Sequence, residues 1–210
     1  MKSLHRWLLI SLATIFLWSA INPHDYFTWF LEVLPVLIAV PILFATYRRF
    51  PLTDLAYGLI WIHAIILIVG GHYTYAQMPL FNWLRDALGW HRNYYDRLGH
   101  FAQGFIPAIV MREILLRTSP LKKSRWLPFL VVCVVLAISA TYEFFEWGAA
   151  IATGTRAEAF LGTQGDIWDT QWDMLCALIG GIIAMLTLTR AHDRSLELLQ
   201  KSYLRASNAQ

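Results

Sequence analysis

The sequence predicts an all-α polytopic membrane protein with six transmembrane helices and both termini in the cytoplasm. Three observations lead there. Of 210 residues, 57% are hydrophobic and only 15% charged, with a mean hydropathy of +0.46. Apolar runs of about 17 to 25 residues, the length that crosses a bilayer, recur along the chain. Basic residues collect on one side of those runs. Residues 1–190 are expected to form one membrane domain and residues 191–210 a cytoplasmic tail.

The first run, Leu4 to Ile21, follows Lys2, His5 and Arg6 and has the look of a signal peptide. Its exit, WSAINPHDYF, lacks a small-x-small cleavage pattern, so it is read as a retained helix. Five more follow: Phe27 to Tyr47, Leu52 to Gly71, Leu98 to Leu116, Trp126 to Trp147 and Ile167 to Thr189. With six spans, Lys2, Arg6, Arg48, Arg49, Arg117, Lys122, Lys123, Arg125, Arg190, Arg194, Lys201 and Arg205 share the side of the N-terminus. Only Arg85, Arg92, Arg97 and Arg156 face the other way. Basic residues stay cytoplasmic, which sets the orientation. The pI near 9.0 then follows from topology and calls for no nucleic acid.

Two long loops fall on the outer side. Residues 71–97 are rich in aromatics and suit a membrane interface; residues 148–165 are rich in Gly, Ala and Thr. The tail has Leu196, Leu199 and Leu204 among charges and reads as a short surface helix, an anchor or a solvated tail. Ala177 with Gly181, Gly180 with Ala184, and Gly104 with Ala108 give the small-xxx-small spacing of close helix contacts. Pro35, Pro41 and Pro107 lie inside spans and are expected to kink them. Cys133 and Cys176 differ in depth by on the order of 10 Å and cannot bridge.

The ionisable residues gather at one height. Asp96 and His100 are i, i+4 at the outer end of the fourth span. Glu143 and Glu146 are i, i+3 at the outer end of the fifth. Asp166, Asp169 and Asp173 open the sixth on one helical face. From Met174 to Thr189 is about 24 Å, against a hydrocarbon core of about 30 Å, so Asp173 falls inside the apolar slab. A carboxylate there is costly unless paired, coordinated or neutralised.

Each residue also has a purely architectural reading. Asp166 suits a helix N-cap and Asp169 the helix dipole. Asp96 suits a surface pair with Arg97 or Arg92, and Glu113 with Arg112 a snorkelled pair. His63 and His72 suit hydrogen-bonded packing, although His72 has the height to join the cluster. His100, Glu143, Glu146 and Asp173 are favoured as functional, against a buried ion-pair network.

One imidazole among carboxylates suits Mg²⁺, Ca²⁺ or Mn²⁺, with zinc a further option. His100, Glu143, Glu146, Asp169 and Asp173 are the expected ligands of such a divalent metal, with Asp96, Asp166 and His72 as further candidates. A metal so held would bind a phosphate or activate water, making the protein an enzyme on envelope or lipid-linked phosphates. A cation carrier and a structural membrane protein are the alternatives. The uniformly apolar stretches FLVVCVVLA and ALIGGIIAM count against a transport path.

YDRLGHFAQGFIPAIVMRE, ATYEFFEW, FLGTQGDIWDTQWDMLCALIGG and GGHYTYAQMP together resemble the YjdF-type family of bacterial inner-membrane proteins, over nearly the whole chain. The resemblance implies the bacterial cytoplasmic membrane and implies no activity. More remotely, the chain is similar to VanZ-like membrane proteins, linked to glycopeptide resistance and the cell envelope. Asp96, His100, Phe101, Glu143 and Asp169 match that pattern. Glu146 stands where a Gln is expected and Asp173 where an Asn is common, and these extra acids strengthen the cation reading.

Overall fold

A computed structural model describes residues 1–154 and 158–207, with Arg156 of the outer loop lying outside them. The order is α1 (Ser3–Ser19), α2 (Tyr26–Thr46), α3 (Asp54–Tyr73), a 3₁₀ turn (Tyr75–Gln77), α4 (Pro79–Leu88), α5 (Tyr95–Thr118), α6 (Trp126–Thr153), α7 (Glu158–Leu161), α8 (Asp169–Thr187) and α9 (Thr189–Ser207). The described residues form no strand. The six expected apolar segments correspond to α1, α2, α3, α5, α6 and α8.

Helix starts follow local chemistry. Asp25 caps α2 by accepting from the Thr28 amide at 2.7 Å, a bond that holds its carboxyl below the ordinary range. Thr53 caps α3 through the Ala56 amide at 3.2 Å. Pro79 opens α4, where its missing N–H is no loss, and Gly89 ends it with φ +66°. The aromatic outer loop is therefore partly helical, with Leu80, Trp83 and Leu88 exposed along α4.

Among the described residues four helices, α2, α3, α6 and α8, are long and apolar enough to cross a membrane. α1 has 17 residues, and α5 carries Asp96, Arg97, Arg112, Glu113 and Arg117. α5 tolerates these charges because it is central. It packs on α3, α6 and most extensively on α8, and eleven of its residues are buried. One apolar core joins α5, α6 and α8 through Ile109, Leu127, Val131, Val135 and Ala184; a second joins α1, α2 and α3 through Leu12, Val33, Val36, Ala64 and Ile68.

The small residues explain the closeness of α5 and α8. A Cβ on Gly104 would lie 1.9 Å from the Ala177 carbonyl oxygen, and one on Gly180 would lie 2.2 Å from that of Phe101. Only glycine permits that approach, and the backbones meet with no side chain between them.

Candidate functional site

α5 and α8 bring three side chains to one point. His100 Nε2 lies 3.5 Å from Asp96 Oδ1 and 3.7 Å from Asp173 Oδ1. One ligand atom from each residue lies within 4.8 Å of the other two, and all three residues are buried. The other ring nitrogen settles the proton: Nδ1 faces Gln103 Oε1 at 3.0 Å and donates to it. Nε2 then faces two carboxylate oxygens, either as the second N–H of an imidazolium or as the lone pair of a neutral ring. Three acceptors facing one another need a proton or a cation between them. Separations of 3.5 and 3.7 Å are the edges of a coordination polyhedron with bonds of about 2.5 Å, within reach of a hard cation such as Ca²⁺. The Nδ1 bond to an oxygen is the outer-shell contact that fixes a metal-ligating imidazole.

Two arginines share the carboxylates. Arg97 Nη1 donates to Asp173 Oδ1, and Nη2 donates to Asp169 Oδ1 at 2.6 Å. Arg92 Nη1 reaches the same Asp169 oxygen at 2.6 Å, while its Nη2 donates to the Gly162 carbonyl at 3.1 Å. Both guanidiniums lie 3.4 Å from Asp166 Oδ2, and Arg92 lies 3.6 Å from Asp96. Arg97 also lies 3.3 Å from Asp96, so the expected pairing of Asp96 with Arg97 or Arg92 is present with both, but in the interior. Asp169 is committed to the arginines and stands one step removed from the His100 point.

Asp166 does not cap α8. The backbone turns through Gly162 and Gly165, both left-handed, and the helix starts only at Asp169. Asp166 instead accepts from the Trp168 amide at 2.9 Å inside that turn. Asp169 and Asp173 remain i, i+4 on the helix proper.

α6 supplies the acids of the third wall. Glu143 is buried, with Oε1 3.8 Å from His100 Nδ1 and without a hydrogen-bond partner. Glu146, one turn on, is half-buried and close enough to Glu143 and His100 to interact with both. The Tyr142 hydroxyl is likewise buried and unpartnered, and the Tyr75 hydroxyl is buried beside Glu32. Orphaned polar atoms are rare in a folded interior, and here they border one cluster.

Glu32 of α2 completes the surroundings, and sequence reasoning missed it. It is 3% exposed, beside Tyr75 and within electrostatic reach of Asp96 and His100. Its signal was plain, a lone acid inside the apolar run FTWFLEVLPVLIAV. His72 is not brought to the cluster. Its Nδ1 donates to the Ser19 carbonyl at 2.9 Å, and its ring stacks 4.4 Å from Trp18.

The outer loops are clasped above the site. The Asn93 amide donates to Gln164 Oε1, and Gln164 Nε2 returns a bond to the Asn93 carbonyl, each at 2.9 Å. Asn93 Nδ2 also reaches the Met78 carbonyl and Asn82.

At the far end of α5 lies a second cluster, where Arg112 and Glu113 prove interior rather than snorkelled. Glu113 is fully buried and accepts from the Thr53 amide, the Thr53 hydroxyl at 2.7 Å and Arg117 at 2.7 Å. His192 of α9 is also fully buried. Arg112 donates to its Nδ1 at 2.7 Å, so the ring proton sits on Nε2, which donates to Glu113 at 3.1 Å. Arg112 and Lys123 both hold Asp193. The tail therefore begins as a docked helix.

Comparison with known proteins agrees with this membrane architecture. The family model described as "Predicted membrane protein (DUF2238)" matches residues 4–194. The chain is 53% identical over 187 residues to the inner membrane protein YjdF of Escherichia coli (strain K12), covering 89% of this chain and 90% of that protein. No solved structure matches. None of these matches supports the VanZ-like likeness.

Proposed function

Because the chain belongs to the DUF2238 family of predicted membrane proteins, and so sits in the bacterial inner membrane, we propose that it is a six-span protein whose outer-half cluster holds a divalent cation. The carrying observation is the meeting of His100 Nε2 with oxygens of Asp96 and Asp173. Glu143 and Glu146 are the next acids in reach. Asp169 keeps Arg92 and Arg97 in place, and Asp166 adds to that screen. A bound cation would polarise a phosphoryl oxygen and lower the pKa of a water. Glu143, whose buried Oε1 has no hydrogen-bond partner, is then the candidate base, and a lipid-linked or envelope phosphate the candidate substrate. Both arginines are occupied by aspartates, which leaves phosphate recognition to the cation.

Basic-residue asymmetry supports a cytoplasmic origin for both ends of the membrane domain and a periplasmic mouth for the site. Cysteines at the exposed positions Gln77 and Gln200 test this in whole cells. Labelling of Gln77→Cys alone by an impermeant reagent is expected; the reverse pattern would turn the site toward the cytoplasm.

One observation favours a second reading, a buried ion-pair network: Arg97 already bridges Asp169 and Asp173. Metal analysis and calorimetric titration with Ca²⁺, Mn²⁺ and Mg²⁺ on detergent-purified protein decide between them. One equivalent per chain is expected, lost in His100→Ala with the protein still folded. No binding by folded wild type would leave the ion-pair network as the role of these residues.

A further inference from the structure

The four helices α1, α2, α3 and α5 do not close on one another at the end away from the acidic cluster. They enclose a cleft of about 1300 Å³. Its boundaries are marked in the sequence. α2 lines it only from Pro35 onward and α5 only from Ile106 and Pro107 onward. Proline removes a backbone donor and favours a bend, and the cleft begins on both helices at such a residue.

Polarity along the cleft is graded. The mouth carries His5, Thr46, Tyr47, Arg48, Tyr57 and Thr118. Deeper walls are apolar, including Leu12, Val36, Ala39, Ala64 and Val110, with His63 at mid-helix depth. From Arg48 to Pro35 is about 20 Å along α2, two thirds of a hydrocarbon core of about 30 Å. Ile42 and Phe44, on the α2 wall, are 55% and 73% exposed, so the cleft borders the surface that meets lipid tails. Its volume exceeds the roughly 300–1,000 Å³ of pockets for compact ligands.

Charge identifies the head of the occupant. Lys2 is held by Asp54 and Arg117 by Glu113, whereas Arg48 and Arg49 pair with no carboxylate among the described residues. Arg48 lines the mouth and Arg49 follows it in the chain, both exposed just past the end of α2, where basic side chains attract anionic lipids.

We propose that this cleft binds one anionic glycerophospholipid of the adjoining leaflet, with acyl chains along the walls beyond Pro35 and the phosphate at Arg48 and Arg49. The proposal rests on the membrane location and is independent of the cation site.

Native mass spectrometry of the full chain, released from detergent with added phosphatidylglycerol or phosphatidylcholine, tests it. One retained phosphatidylglycerol per chain is expected at concentrations where phosphatidylcholine is lost. Reversing the exposed Arg48 and Arg49 to Glu should weaken phosphatidylglycerol by at least about tenfold. Ala39→Trp, which fills the cleft, should abolish retention, with unchanged helicity and melting as the folding control. Equal retention of the two lipids, or full retention by the arginine variant, would overturn the proposal. So would full retention by a folded Ala39→Trp protein.

Discussion

Helix α5 carries a buried charged cluster at each end, and the two differ in how completely their members are paired. At the Glu113 end every strong group has a partner. Glu113 takes bonds from Thr53, Arg117 and His192, and both His192 nitrogens are used, one accepting from Arg112 and one donating to Glu113. At the Asp96 end, Asp96, Asp166, Asp169, Asp173, Glu32, Glu143 and Glu146 surround two arginines and one histidine. His100 Nε2 looks at two carboxylate oxygens, and Glu143 Oε1 has no partner. Burial alone does not mark a functional site, since both clusters are buried. The finished network ties α3, α5 and α9 together; the unfinished one has room for a positive charge.

The comparison is broken most directly at its finished end. Glu113→Ala removes the acceptor of several buried donors and strands the charge of Arg117. Breaking a buried pair from one side costs about 3–5 kcal/mol. Thermal melting in detergent should show that loss, or the protein should fail to accumulate. Near-wild-type melting would mean that the network contributes little to the fold.

Within the Asp96 cluster the sign of the residue should decide the outcome. Arg97→Gln leaves Asp169 and Asp173 short of positive charge, so a loss of about 3 kcal/mol is expected, partly recovered by added divalent cation. Recovery is the informative part, because a purely structural pair would not return on adding Ca²⁺.

Asp173→Asn should behave oppositely. Arg97 keeps Asp169, Asp96 and Asp166 nearby, so no charge is stranded and melting should move by no more than about 1 kcal/mol. Cation binding should disappear. A variant that melts far below wild type without cation would make Asp173 half of a structural pair. Asp166→Asn is milder, since the amide oxygen still accepts from the Trp168 amide, and a change within about 0.5 kcal/mol is expected.

The smallest effect is on acid stability. Burial pushes the Asp193 carboxyl up, but bonds from Arg112 and Lys123 outweigh it and hold the group below its ordinary range. A carboxyl depressed in the fold stabilises it above the unfolded value of about 3.9, and that gain fades as pH falls through the folded value. Between about pH 6 and pH 3, wild type should lose more melting temperature than Asp193→Asn. Equal losses would show that this pairing does not contribute.

The helices were legible because apolar runs of bilayer length are hard to mistake, and the site because acids inside such runs are costly. Glu143 and Asp173 stand out that way and His100 from its place among them, whereas Asp96 reads first as a surface pair and only then as a further candidate. Glu32 carries the same signal, but it stands inside a span and apart from the acids that gather at span ends. His192 lies just beyond an apolar run, and composition cannot tell a docked tail from a solvated one. Nor could it show that two left-handed glycines delay α8 until Asp169, which removes the cap at Asp166. Pairing was foreseeable for Asp96 but not its depth, because depth depends on which neighbours cover a side chain.

The glycine contacts between α5 and α8 have a mechanical consequence. With Gly104 against the Ala177 carbonyl and Gly180 against that of Phe101, neither helix can slide or roll past the other without backbone collision. Asp96, His100, Asp169 and Asp173 therefore ride on one stiff beam. Any adjustment to the proposed cation would fall to the elements that border the cluster without such backbone-to-backbone contact. Those are α6, bearing Glu143 and Glu146, and the clasped loops joined by Asn93 and Gln164.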